Sequence, residues 1–173
     1  MQYSILEFGA IADGKTLCTD ALNKTIQAVA EAGGGYAVVP AGRFLTGSVR
    51  ILSNVYLVLE PGSVLLGTLD TDLIETLTEK EKSKPLISAV GQHDIGIIGS
   101  GIVDLQRRGT HRKYGMPMCV EFFECERVTM QGITLRNPGF FTTFTRRCTD
   151  VNYDRINIDT MDCDNGDGLD FEG

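Results

Sequence analysis

One segment of the chain has the hydrophobic spacing of an amphipathic helix. Its apolar residues recur three or four positions apart and polar residues fill the places between them; the apolar ones are Leu22, Ile26, Val29 and Ala30. The pattern predicts a helix over residues 19–32 with Thr19 or Asp20 as its N-terminal cap. The three glycines at 33–35 end it, because glycine adopts the left-handed conformation after a helix at little cost.

The rest of the chain consists of short apolar runs typical of strands, and these runs repeat. Four of them begin with a polar residue followed by Val or Ile, at Asn54, Asp94, Arg127 and Asp150. A further strand comes before most of these rows and recurs with them, at Leu86–Val90, Met118–Phe122, Phe141–Thr145 and Leu169–Gly173. The last two rows are offset by 23 residues (151 − 128), and the same offset relates Cys125 to Cys148. Three short strands in a period of this length predict a β-solenoid, whose coils bury a continuous core only by stacking.

The repeat also predicts the domain organisation. We expect residues 1–173 to belong to one β-helix domain, with the helix at 19–32 covering its N-terminal end and coils over about 36–173. A polar, helix-compatible insert at 70–84 interrupts the strands. The chain ends within a strand and without an atypical terminal repeat, so we expect it to be the N-terminal part of a longer domain. A β-sandwich with coincidental spacing is the alternative fold.

Composition excludes several classes of protein. The net charge is −7 and the pI is near 4.8, so the chain lacks the basic excess that binds nucleic acid through its phosphates. No run is apolar and long enough to cross a membrane, and the N-terminus lacks the features of a secretory signal, so we predict a cytoplasmic protein. Five widely spaced cysteines favour free thiols. No Cys-x-x-Cys occurs and neither histidine has ligand spacing, so cysteine and histidine give no sign of a metal site, and we predict none.

The densest group of acidic residues lies near the end of the chain. Asp170 and Glu172 are two residues apart in a predicted strand and therefore share a face, while Asp167 precedes them in a turn. Neighbouring carboxylates on a sheet are what glycoside hydrolysis requires, one as acid and one as base. The spacing fails the EF-hand pattern, although a looser Ca²⁺ site and a merely solvated acidic turn remain open.

A basic loop at residues 107–113 is the second candidate site. Arg108, His111 and Arg112 lie in it, and guanidinium groups match the geometry of carboxylates. The loop is predicted either to bind an anionic sugar polymer or to be a solvated surface loop.

Several motifs, in this order along the chain, resemble those of the polygalacturonases, glycoside hydrolase family 28. They are Phe8–Gly14, Thr19–Leu22, Gly33–Gly42, Phe44–Gly47, Ser53–Val55, Asn137-Pro138-Gly139-Phe140 and Asn165-Gly166-Asp167-Gly168-Leu169-Asp170. The resemblance implies a right-handed, single-stranded parallel β-helix that hydrolyses α-1,4-linked galacturonan or related pectic chains with inversion and without a cofactor. It implies that Asp167 is the catalytic aspartate that helps to activate water. Asn165 and Asp170, in the same motif, are then expected to bind substrate.

The chain departs from that family in ways that affect the prediction. The family's glycine followed by paired aspartates, one of them the general acid, does not occur in the 173 residues, and neither do its Gly-His-Gly and Arg-Ile-Lys motifs. Asn137 and Phe140 stand where the family has Ser and Trp, which suggests a divergent subgroup. We therefore expect this chain alone to be inactive. The alternatives are a non-catalytic carbohydrate-binding solenoid and a pectate-lyase-like enzyme that uses Ca²⁺.

Overall fold

The computed structural model describes residues 1–107, 116–161, 163–164 and 166–173. Within these residues the chain forms one α-helix, α1 (Thr19–Glu31), and 17 strands. The strands are β1 (Gln2–Ser4), β2 (Asp13–Leu17), β3 (Gly35–Val39), β4 (Gly42–Thr46), β5 (Val49–Arg50), β6 (Val55–Leu59), β7 (Ser63–Gly67), β8 (Pro85–Val90), β9 (His93–Gly99), β10 (Ile102–Asp104), β11 (Met118–Phe123), β12 (Glu126–Gln131), β13 (Thr134–Arg136), β14 (Thr143–Arg146), β15 (Thr149–Asp154), β16 (Asn157–Asp159) and β17 (Leu169–Glu172).

The strands form three parallel sheets, because each coil contributes one strand to each sheet in turn. Sheet A has the order β1-β3-β6-β9-β12-β15, sheet B the order β2-β4-β7-β10-β13-β16, and sheet C the order β5-β8-β11-β14-β17. The predicted repeat sets the register, since Val128 pairs with Val151 and the 23-residue offset holds along both strands. The fold is the predicted all-β, right-handed parallel β-helix, and uniformly parallel pairing excludes the sandwich alternative.

The coils begin earlier in the chain than predicted. Strands β1 and β2 precede the helix and pair with β3 and β4, so residues before 36 already belong to sheets A and B. The helix leaves the solenoid after β2 and returns into β3, ending one residue earlier than predicted. It packs against β1 and β3, the first two strands of sheet A, and buries Leu22, Ile26 and Val29 there. It therefore lies at the N-terminal end of the stack.

The predicted N-terminal cap of α1 is wrong. The cap residue is Cys18, and no side chain caps the helix there. The Thr19 hydroxyl instead accepts a hydrogen bond from the backbone N–H of Gly47, at 2.7 Å. This contact ties the start of the helix to the turn that follows β4, and it uses the oxygen that a cap would have needed.

The repeating polar residues lie at corners of the coils. Asn54, Asp94, Arg127 and Asp150 all have the left-handed backbone conformation, with φ between 51° and 65°. This conformation costs an ordinary residue roughly 1–2 kcal/mol, and Asn and Asp tolerate it best. A second left-handed position lies three residues earlier in successive coils, at Gly91, Glu124 and Arg147. The polar residue at the start of each repeat therefore lies at the turn from sheet C into sheet A.

The insert of residues 70–84 is not the helix that its composition allows. It contains a short 3₁₀ helix, Thr71–Leu73, and otherwise follows an irregular path. The guanidinium of Arg50 on β5 donates to the carbonyl oxygens of Thr76 at 3.0 Å and Leu77 at 3.3 Å. These contacts hold the insert over the outer face of sheet C.

The core runs along the inside of the solenoid and includes cysteines, as predicted. The backbone N–H of Cys125 donates to the sulfur of Cys148 at 3.4 Å, so the two residues stack in neighbouring coils. All five cysteines are free thiols. No helix in the described part of the chain is long and apolar enough to span a membrane.

Candidate active site

The outer face of sheet C carries a row of polar and aromatic side chains in register. Side chains alternate along a strand, so the core residues Val120 and Phe122 leave Glu121 pointing outward. Pairing between strands places each outward residue beside the next along the sheet. The row is Arg50, Ser88, Glu121, Phe144 and Asp170.

Asp170 occupies the last position of this row and has an unusual environment. Its side chain is half-buried, and its Oδ2 atom is buried with no hydrogen-bond partner in the described part of the chain. Burial raises the pKa of Asp170 above its ordinary value, and the neighbouring carboxylate of Asp167 raises the pKa further. Two neighbouring carboxyl groups in different environments are the arrangement that acid–base chemistry on a glycosidic bond uses.

Asp167 lies in the turn before β17, with its side chain exposed. Two hydrogen bonds hold the backbone of this turn against the preceding coil. The carbonyl oxygen of Asp167 accepts from the N–H of Thr142 at 2.9 Å, and that of Gly168 accepts from the hydroxyl of Thr143 at 3.2 Å. The carboxylate therefore projects into solvent from a fixed backbone, next to Asp170. The structure brings these two predicted residues together.

The other predicted site residues fall outside the described part of the chain. These are Asn165 of the acidic motif and Arg108, His111 and Arg112 of the basic loop. Arg107, the first residue of that loop, is described and turns inward. Its guanidinium donates to the carbonyl oxygens of Thr68 at 3.1 Å and Leu69 at 3.3 Å, and burial lowers its pKa. Arg107 is thus a structural residue that holds the start of the insert, rather than part of an anion-binding surface.

A buried ion network that the sequence analysis missed lies beneath the insert. Arg146 on β14 pairs with Glu121 on β11 at 2.6 Å and with Glu81 of the insert at 2.8 Å. The Glu121 side chain is 0% exposed and also accepts a hydrogen bond from the hydroxyl of Ser83. Glu121 gives a signal in the sequence, because it is a charged residue between the apolar Val120 and Phe122. Arg146 lies between Thr145 and Arg147 and gives no such signal. Recognising the pair requires the register, which places Arg146 diagonally across from Glu121.

A pocket of about 250 Å³ opens on this face beside the insert, whose residues Glu81, Lys82 and Ser83 line it. Three phenylalanine rings form its apolar side: Phe140 lies 4.1 Å from Phe141, and Phe141 lies 5.7 Å from Phe144, between ring centroids. Lys82 of the insert supplies positive charge at its edge, whereas the charge of Arg146, also in the lining, is compensated by Glu121 and by Glu81. We call it the sheet C pocket. Its place is fixed by Phe144, which pairs directly with Asp170.

The described residues contain no group of three His, Cys, Asp or Glu side chains that could hold a metal ion. Asp162 and Asn165, which flank the acidic turn, are outside that set. The alternative of a looser Ca²⁺ site therefore has no donor set among the described residues.

Comparisons with known proteins relate this chain to polysaccharide-active enzymes. No family profile matches it. A protein of Vitis vinifera named "Probable polygalacturonase" is 27% identical over 158 residues, which are 78% of this chain and 32% of that protein. An exo-poly-alpha-D-galacturonosidase of Dickeya chrysanthemi is 32% identical over 115 residues, which are 58% of this chain and 19% of that protein.

Solved structures give the same picture of the fold. The family 28 exopolygalacturonase of Yersinia enterocolitica superposes with a TM-score of 0.87 at 23% identity, covering 99% of this chain and 41% of that one. This chain therefore spans about a third or less of the curated relatives described above, and about two fifths of that structure.

Proposed function

From the polygalacturonase-like family that these comparisons support, we propose that this chain is part of a glycoside hydrolase acting on pectic polysaccharide or oligosaccharide. The reaction is hydrolysis of α-1,4-galacturonosyl bonds with inversion, carried by carboxylates and without a cofactor. The observation that carries the proposal is that exposed Asp167 lies next to half-buried Asp170 at the outer face of sheet C.

The two carboxylates receive different roles from their environments. Asp167 is exposed on a backbone held by the preceding coil, so it can polarise a water molecule that approaches from solvent. Asp170 is half-buried and burial raises its pKa, so its carboxyl group is suited to bind and support the substrate beside Asp167. Inversion requires the acid and base carboxyls to be about 6.5–9.5 Å apart, which leaves room for the attacking water.

The general acid is the part of this constellation that we do not assign within the chain. The paired aspartates that supply it in the resembled family do not occur in these 173 residues. We therefore expect the chain by itself to bind oligogalacturonate without turning it over. Hydrolysis of polygalacturonate by the purified chain would show that the acid lies among these residues.

The test of the function is the release of reducing ends from polygalacturonate by the product of the complete reading frame that contains these residues. Asp167→Asn is expected to lower the rate about 10²–10⁴-fold, the usual contribution of general acid–base catalysis, while oligogalacturonate binding is kept. Asp150→Asn is the matched control, because Asp150 is an exposed aspartate on sheet A whose left-handed backbone asparagine also tolerates. Equal rates for the two variants would refute the role of Asp167.

The same assay separates the alternatives. A lyase would require added Ca²⁺ and would release an unsaturated product that absorbs in the ultraviolet. A non-catalytic solenoid would bind oligogalacturonate but release no new chain ends, even as the product of the complete reading frame.

A further inference from the structure

The insert of residues 70–84 closes one side of the sheet C face. Three outward-facing residues beneath it are almost fully buried although they lie on the outside of the solenoid: Ser88 is 1% exposed, Glu121 is 0% exposed and Arg146 is 8% exposed. Phe144 and Asp170, the next residues of the same row, are only half-buried. The cover therefore ends between β11 and β17, and the open part of the face begins at the sheet C pocket.

The insert is held firmly enough to act as a wall. Arg50 binds it near its middle through Glu75 at 3.0 Å and through two backbone carbonyls. Glu81 and Ser83 fasten its far end to the buried pair of Arg146 and Glu121. The tip of the insert is itself closed by a hydrogen bond from the N–H of Leu77 to the carbonyl of Ser83, at 2.9 Å. A saccharide lying along sheet C would meet this wall one coil before Asp170.

The size and chemistry of the sheet C pocket suit one acidic sugar ring. Its volume of about 250 Å³ is below the roughly 300–1,000 Å³ of sites for drug-sized ligands. Phe141 and Phe144 present half-buried rings, against which the apolar face of a pyranose packs. Lys82 lines the pocket and forms no ion pair or hydrogen bond with any residue that the structure describes, so its ammonium is available for a carboxylate.

We propose that the sheet C pocket is a terminal subsite, which receives the end residue of an acidic saccharide chain against the wall formed by the insert. The protein would then select chain ends rather than interior segments. This inference rests on the proposed function, and it adds the mode of substrate selection. Phe144, which lines the pocket, pairs with Asp170 on the next strand, so the pocket lies on the coil that precedes Asp170.

The test measures how the affinity for oligogalacturonates depends on their length and on their two ends. The isotope-labelled 173-residue chain is titrated with a hexamer and a dodecamer, and binding is followed by NMR. A terminal subsite gives the same Kd per chain for both lengths, because each chain has one end that fits. An open groove of four subsites would bind the dodecamer about threefold more tightly, because the longer chain offers more registers.

End-blocked ligands and matched variants complete the test. A bulky label on one end of the hexamer should abolish binding, while the same label on the other end should not. Lys82→Ala should weaken binding about fivefold, the scale of one exposed charge contact, and Lys80→Ala should not, because Lys80 is exposed on the same insert but does not line the pocket. Phe144→Leu, which keeps an apolar side chain but removes the ring, should also weaken it.

The outcomes separate the inference from the function on which it rests. Binding that tightens with length and tolerates labels on either end would overturn the terminal subsite and leave the pectic substrate standing. Equal effects of Lys80→Ala and Lys82→Ala would also overturn it. A chain that binds no oligogalacturonate of any length would overturn the proposed substrate itself, and the subsite with it.

Discussion

The buried pair of Arg146 and Glu121 gives the sharpest prediction for stability. Arg146→Met keeps most of the length of the side chain but leaves the Glu121 carboxylate, which is 0% exposed, without its cation. The lost contacts are two hydrogen bonds from the guanidinium to Oε1 of Glu121, at 3.0 and 2.6 Å, and one to Oε2 of Glu81, at 2.8 Å. Removing one partner of a buried ion pair costs about 3–5 kcal/mol, because the remaining charge is uncompensated. We expect the free energy of unfolding to fall by that amount.

The next residue in the chain supplies the control. Arg147 pairs with Glu124 at 3.3 Å, but both side chains are more than half exposed, at 59% and 52%. Exposed pairs contribute about 0.2–1 kcal/mol, since water and salt screen them. Arg147→Met should therefore change the free energy of unfolding by less than about 1 kcal/mol.

The assay is urea unfolding followed by far-ultraviolet circular dichroism, because the chain has no tryptophan to report by fluorescence. The double variant Arg146→Met with Glu121→Gln should lose less stability than the sum of the single variants, because it leaves no buried charge behind. Equal losses for Arg146→Met and Arg147→Met would refute the argument that burial decides the value of the pair. Additive losses in the double variant would refute the coupling.

Two further predictions concern charge and backbone. Because the pKa of Asp170 is raised in the folded state, ionisation of this group lowers the free energy of unfolding. This loss of stability is absent below the ordinary pKa of 3.8, grows as the pH rises from there to the raised pKa, and is complete above it. Asp170→Asn should therefore raise Tm at pH 7 and leave it unchanged at pH 3, and the opposite pattern would contradict the assignment. Gly99 and Gly91 both have positive φ, but a Cβ on Gly99 would collide with the backbone of Leu59, whereas one on Gly91 meets open space. Thermal unfolding should show Gly91→Ala costing about 1–2 kcal/mol and Gly99→Ala costing about 1–3 kcal/mol more; equal losses would show that the backbone gives way.

The sequence predicted most of the solenoid because each coil repeats the same local requirements. The polar residue before each apolar run was readable as a repeat, and the structure shows its cause, a left-handed corner at positions such as Asp94 and Arg127. The strand register followed from the spacing of the repeats, since stacking forces equivalent residues above one another. The acidic motif was readable for the same reason: Asp170 has a fixed place in a strand, and Asp167 has one in the turn before it.

The insert could not be predicted from its own residues. Its polar composition allows a helix, but the path of the insert depends on contacts with a distant strand, such as those from Arg50 to the carbonyls of Thr76 and Leu77. The pair of Glu121 and Arg146 was missed because outward residues of a strand are expected to be solvated, and only the insert buries these two. The conformation of the insert and the burial of this pair escaped prediction for the same reason. The residues of a repeat determine the structure of their own coil, whereas the structure of an insert depends on the surface against which it packs.

The corners of the coils have a consequence for how such a protein can change. The turn from sheet C into sheet A has the same pair of left-handed positions in three successive coils, whereas the connections from sheet B into sheet C differ in length. The turns from sheet C into sheet A set the stacking of one coil on the next. The connections from sheet B into sheet C border the face that holds Asp167 and Asp170. New specificities can therefore arise by lengthening or shortening loops on one side of the solenoid while its frame stays the same. Recognition and architecture are encoded in separate stretches of each coil, which leaves each free to vary without the other.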